Sequence, residues 1–163
     1  MRTSLVVNSR NQAGFSLVEL MIVVAIIGLL ATIAVPRFEI FRAKARQVEA
    51  KNNLSHVYTL QHSFFGDNEE FATMPTTGTV DGSCSNVTND LGFYLSPCNG
   101  TETTIRYAYA STGNGNTGFT ATATSGSGGN NRVVAGCDTA DVWEINQDKA
   151  LENTSKAVVE CND

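Results

Sequence analysis

Residues 14–36 read GFSLVELMIVVAIIGLLATIAVP, and from Leu17 to Val35 every residue is apolar except Glu19, Gly28 and Thr32. As a helix this run spans roughly 28 Å, close to the ~30 Å hydrocarbon core of a bilayer. A secretory signal has only ~7–15 apolar residues followed by a small-x-small cleavage site. The present run is longer, and its end, LLATIAVP, offers no Ala-x-Ala. A plain membrane anchor accounts for the length but not for Glu19. An acidic group inside a membrane helix costs about 3 kcal/mol on insertion scales, so it normally has a partner or a task.

The residues ahead of the run narrow the choice. The leader MRTSLVVNSRNQAG carries Arg2 and Arg10 and no acidic residue, ends at Gly14, and is followed by Phe15-Ser16-Leu17-Val18-Glu19. A glycine, an aromatic residue, a glutamate five positions after the glycine and then a spanning run together resemble the class III signal of type IV pilins. The stretch RFEIFRAKARQVEAKNNLSHVYTLQHSFF, beginning at Arg37, is similar to the helix that follows the membrane segment in that family. The resemblance is close from residue 1 to about residue 66 and extends beyond that only in general layout. One departure is that Ala13 precedes Gly14 and the nearest basic residue is Arg10, where many pilins place Lys or Arg beside the glycine.

The resemblance implies a processing and assembly route. A prepilin peptidase would cut after Gly14, the new amino terminus on Phe15 would be N-methylated, and Glu19 would pair with the amine of a neighbouring subunit. The physics is compatible with that role: a buried carboxylate is expensive alone and tolerable beside a cation. Glu19 lies about 6 Å of helix from its own chain's amine, so a staggered neighbour could bring another amine to that depth. Only the correct stagger would neutralise it, which is specificity by penalty. The implied partners are further copies of the chain in a helical filament, the peptidase, the pilus assembly machinery, and inner-membrane lipid before assembly. The implied location is the inner membrane for the precursor and the extracellular surface for the pilus, whose roles in the family are adhesion, twitching motility and DNA uptake.

Charge and cysteines bound the rest. The precursor carries a net charge of −5, and loss of Arg2 and Arg10 makes it −7. Such a balance argues against nucleic acid as a direct main partner, because phosphate binding needs cationic neutralisation. A local basic band, Arg37, Arg42, Lys44 and Arg46, follows the run and reads as a solvated helix face or a patch against lipid headgroups and neighbouring acidic groups. By the positive-inside rule that band would hold the carboxyl-terminal part in the cytoplasm. The four cysteines, Cys84, Cys98, Cys137 and Cys161, oppose this, because they suit an oxidising compartment. They form no C-x-x-C pair and lie far in sequence from His56 and His62, so no metal is expected. Three pairings are open. Short loop closure favours Cys84–Cys98 and Cys137–Cys161, and the second also matches the family's disulfide-bounded loop near the carboxyl terminus.

Helical periodicity continues past the run. Phe38, Phe41, Ala45 and Val48 recur at steps of three and four, and Leu54, Val57, Tyr58, Gln61, Phe64 and Phe65 continue a broader apolar side until GDNEEF. Residues 15–66 as one helix would be about 78 Å long, with Gly28 and Pro36 as points of flexibility. A turn-rich connector follows, from Phe71 to Gly100. TIRYAYA, FTATAT and RVVA then read as strands, and DVWEINQDKALEN as a hairpin with NQDK at its tip and Trp143 in the core. GNGNTG matches the dinucleotide-binding G-x-G-x-x-G by letter, but strand-like alternation follows where that motif needs a helix, so it reads as a hairpin loop.

The expected fold is α+β: a long amino-terminal helix packed on a small antiparallel sheet of about four strands. The expected divisions are a cleaved leader (1–14), a membrane-spanning and filament-core helix (15–36), its amphipathic continuation (37–66), and a disulfide-stapled globular domain (67–163). With no nucleotide loop, metal motif or catalytic triad in view, the sequence reads as a structural subunit, not an enzyme, with no cofactor. The nearest alternatives are a pseudopilin of a type II secretion system and a minor pilin.

Overall fold

The computed structural model describes residues 14–78, 84–96, 98, 105–126, 133 and 137–157, with backbone alone at 36 and 37. One helix, α1 (Leu17–Asn68), is followed by five strands. These are β1 (Met74–Gly78), β2 (Tyr107–Gly113), β3 (Phe119–Ser125), β4 (Val142–Asn146) and β5 (Leu151–Ser155). The chain divides into two compact units, Met1–Arg37 and Phe38–Asp163.

In the first unit the backbone becomes helical at Leu17, and the Leu20 amide donates to the Ser16 carbonyl at 3.2 Å. Thr32, a polar residue within the apolar run, turns its hydroxyl back onto the Leu29 carbonyl at 2.7 Å, so the helix satisfies it internally. The helix runs through Gly28 and Pro36 without interruption.

In the second unit the sheet is an antiparallel meander in the order β1-β2-β3-β4-β5. Ala43, Ala50, Leu54, Val57 and Gln61 form the buried stripe of α1, at steps of seven, four, three and four. Facing it, large and small residues meet across the strands: Tyr109 pairs with Ala123 and Phe119 with Gly113, with Ala121 opposite Ser111 between them. The alanines leave room for Leu54 and for the rings of Tyr107, Tyr109 and Phe119, all essentially inaccessible to solvent. Complete burial of one such side chain contributes about 1.5–3 kcal/mol.

The two hairpins foreseen from sequence form where expected. GNGNTG joins β2 to β3, with the Asn114 amide donating to the Gly118 carbonyl at 2.8 Å and Gly115 at a positive φ of 61°. NQDK joins β4 to β5, where Asn146 Oδ1 accepts from the amides of Asp148 and Ala150, both at 3.0 Å.

Three features differ from the sequence expectation. First, the sheet has five strands, because MPTTG forms β1 within what reads as a turn-rich connector. Pro75 is tolerated there because β1 is an edge strand and its pairing shifts register between Met74 and Thr77, so the missing proline amide breaks no ladder. Second, α1 continues to Asn68, whose side-chain amide donates to the Phe64 carbonyl at 3.0 Å, and ends at Glu69 with φ of 59°. Third, Trp143 sits at the rim of the core, half-buried, with the Lys51 ammonium 4.0 Å from its ring centre. Of the strand read at RVVA only Val133 is described; it is buried in a bend, and the other three residues lie outside the described residues.

Candidate assembly segment

Gly14, Phe15 and Ser16 precede the helix and are all exposed, with Phe15 84% accessible. Every residue from Gly14 to Val35 is exposed. The segment is long and apolar enough to cross a membrane, yet none of its apolar window is buried within the chain. Glu19 occupies the first helical turn, where the helix dipole favours an anion, and among the described residues it has no ion-pair partner. A side chain at Gly28 would meet nothing within 4 Å.

Beyond Arg37 the helix presents two faces. The stripe from Ala43 to Gln61 is covered by the sheet, whereas Phe38, Phe41 and Val48 remain 62%, 67% and 52% accessible. The basic band is divided among several tasks. Arg42 pairs with Glu39 at 3.3 Å, and Arg46 donates to the Val133 carbonyl at 2.6 Å. Burial, then the nearby Arg106 and Arg42 guanidiniums, lowers the Arg46 pKa from its ordinary value, with Glu39 and Tyr107 opposing. Lys44 is exposed and among the described residues has no partner.

Two polar hubs that sequence reading missed hold the second unit together. Gln61 is wholly buried: its Nε2 donates to the Ala72 carbonyl and to Ser111 Oγ, both at 2.7 Å, and its Oε1 accepts from the Ala72 amide at 3.0 Å. It therefore ties the chain leaving the helix to β2. Its sequence signal was present, a polar residue in register with Leu54 and Val57. Asp141, also wholly buried, accepts from four side chains. These are Tyr107 Oη at 2.7 Å, Trp143 Nε1 at 2.8 Å, Gln47 Nε2 at 3.0 Å and Asn153 Nδ2 at 3.1 Å. Nothing in the sequence marks it.

Cys84 and Cys98 form a disulfide, with Cα atoms 5.3 Å apart across a separation of 14 residues. Cys137 is also disulfide-bonded, and Cys161, named with it above, lies outside the described residues. His56 and His62 are both exposed; His56 lies against Phe93, and His62 against Tyr58, Phe71 and Phe119. Among the described residues no cluster of three His, Cys, Asp or Glu could hold a metal.

The family described as the prokaryotic N-terminal methylation motif matches residues 9–35. The chain is 55% identical over 65 residues to the type IV major pilin protein PilA of Myxococcus xanthus, covering 40% of this chain and 29% of that protein. It is 39% identical over 67 residues to a fimbrial protein of Pseudomonas aeruginosa, covering 41% and 44% respectively. With the type IV major pilin protein PilE of Neisseria gonorrhoeae it shares 32% identity over 77 residues, covering 44% and 46%. The matched stretch is thus less than half of each of these relatives. The motif and the relatives agree in supporting a type IV pilin.

Proposed function

We propose that this chain is the structural subunit of a type IV pilus, cut after Gly14, methylated on Phe15, and assembled from the inner membrane into a helical filament. The observation that carries the reading is a helix apolar along its whole first stretch, entirely uncovered by its own chain, with a single carboxylate in its first turn. Such a surface is stable only against lipid or against other copies of itself, since each Å² of apolar area left in water costs about 25 cal/mol. Lipid would cover it first and neighbouring helices afterwards.

Glu19 sets the register in this mechanism. Hydrolysis of the Gly14–Phe15 peptide bond creates an amine four residues before it, and a methyl donor external to the chain supplies the methyl group. A neighbouring subunit that enters at the correct stagger places its own amine beside the carboxylate and removes the desolvation penalty. Gly28 and Pro36 are the positions where the helix would bend to fit. Adding copies through two different faces gives an open, heterologous assembly, as a fibre requires.

The test is intact mass and amino-terminal sequencing of sheared surface material and of membranes, from wild type and from Glu19→Ala cells. The expected result is a chain starting at methylated Phe15 in sheared fibres, and none in fibres from Glu19→Ala. A processed chain confined to the envelope would point to a pseudopilin or minor pilin instead. An uncut Met1 start, or full assembly without Glu19, would refute the mechanism.

A further inference from the structure

A groove of about 140 Å³ opens between the last turns of α1 and the loop that follows Cys84, lined by Leu60, Ser63, Phe64, Asp67, Asp90 and Leu91. Leu60, Phe64 and Leu91 give it an apolar side, Ser63, Asp67 and Asp90 a polar one, and both aspartates are exposed. Among the described residues neither carboxylate has a hydrogen-bond or ion-pair partner. The helix end adds to the negative potential: α1 has no basic residue in its last turn, although its carboxyl terminus carries partial negative charge. The volume is that of roughly four to five waters, which matches the five heavy atoms of a lysine side chain. A lining that sets apolar residues beside two exposed carboxylates suits a side chain that lays its stem on the apolar side and keeps its charged head at the surface.

The complementary surface lies on the same helix. Lys44 is exposed and has no partner among the described residues, and it stands beside the uncovered Phe41 and Val48. Relative to the groove it is about 24–35 Å back along α1 and roughly 100–200° around it. One copy cannot bring these two surfaces together. Two staggered copies can, and the contact uses different faces on each, so it propagates without closing.

We propose that the groove between Asp67 and Asp90 receives Lys44 of a second copy of this chain, with Phe41 and Val48 of that copy against the groove's apolar wall. The inference rests on the proposed filament and adds a contact outside the membrane-spanning stretch.

Sheared native filaments treated with a zero-length carbodiimide test it directly, because the reagent joins an amine only to a carboxylate already touching it. Peptide mapping should find Lys44 joined to Asp67 or Asp90, a link that the spacing along one helix restricts to separate copies. Lys44→Glu should lower filament yield at least about tenfold, and Lys44→Glu combined with Asp67→Lys should restore most of it. Both positions are exposed, so neither change threatens the fold. Filaments in which Lys44 joins neither carboxylate, or a Lys44→Glu chain that assembles at wild-type yield, would overturn this contact alone. Absence of filaments from the unmodified chain would overturn the proposed function and the contact with it.

Discussion

Asp141→Ala should be among the most damaging single changes available in the second unit. The carboxylate is wholly buried and accepts from Tyr107, Trp143, Gln47 and Asn153, which stand on β2, β4, α1 and β5. Hydrogen bonds to a charged group contribute about 1.5–3 kcal/mol each, but the four share one acceptor and are not additive. Truncation leaves the Tyr107 hydroxyl, which is itself buried, without a partner, at a cost of about 1–3 kcal/mol. The other three donors belong to half-buried residues, and water can replace part of what they lose. The expected net loss is therefore about 3–5 kcal/mol. The backbone anchor survives, because the Asp141 amide donates to Ser125 Oγ at 2.8 Å independently of the side chain.

Urea unfolding of the purified chain in non-ionic detergent measures this, with the single tryptophan as reporter. Trp143 lies 2.8 Å from the carboxylate through Nε1, so its emission reports the transition of this unit and not of the apolar helix. At a typical slope of about 2 kcal/mol per molar urea, the midpoint should fall by about 2 M. Asp141→Asn keeps the shape and one acceptor oxygen but turns an amide donor toward the remaining donors, so it should lose about half as much. If Asp141→Ala costs less than about 1 kcal/mol, the hub is not what joins helix to sheet and the reasoning fails.

Other positions give independent tests. A Cβ at Gly113 would collide with the Phe71 carbonyl, where the Phe71 amide bridges to Gly115 at 2.8 Å, so Gly113→Ala should cost about 3 kcal/mol in the same urea assay. Replacing Cys84 and Cys98 together by serine opens the loop that their disulfide closes and should lower stability by about 3 kcal/mol, read in the same way. Burial, before the nearby Asp141, holds the Tyr107 hydroxyl well above the ordinary tyrosine range, and burial does the same for Tyr109. Since the folded values exceed the unfolded value of about 10, these groups' contribution is complete below pH 10 and is lost as pH rises further. Tyrosinate absorbance from these two should therefore appear only with unfolding, and a Tyr107→Phe chain should show a weaker alkaline loss of stability.

What the sequence disclosed follows from how local each feature is. Apolar periodicity alone marks α1, since its buried stripe repeats at helical spacing whatever lies opposite. Strict alternation marks β2 and β3, and turn residues mark both hairpins. β1 escaped because a proline is excluded from central strands only, and its edge position depends on distant residues in β2, from Ala108 to Ser111. Trp143 reads as a core residue from sequence, whereas Ala121 and Ala123 reserve that space for the tyrosines and Phe119. Asp141 illustrates the limit most clearly: its donors are spread from Gln47 to Asn153, and no window of sequence contains them. Of the candidate assembly segment, the apolar run and the place of Glu19 in its first turn are legible, because both are properties of linear sequence.

The two carboxylates Glu19 and Asp141 place the boundary between what the chain completes alone and what it leaves to others. Asp141 is removed from water and answered by four donors of its own chain, so folding satisfies it. Glu19 sits in a helix that its own chain leaves bare, with no ion-pair partner among the described residues. In water it needs none, but the apolar residues around it are unstable there. Any environment that covers them desolvates Glu19 as well, so a lipid-covered helix carries a penalty that pairing of the carboxylate would remove. A lipid tail can cover the helix but not pair the carboxylate. A second copy carrying an amine at the right height can do both, so under the proposed function transfer from membrane to filament is downhill at the one stagger that aligns the charges.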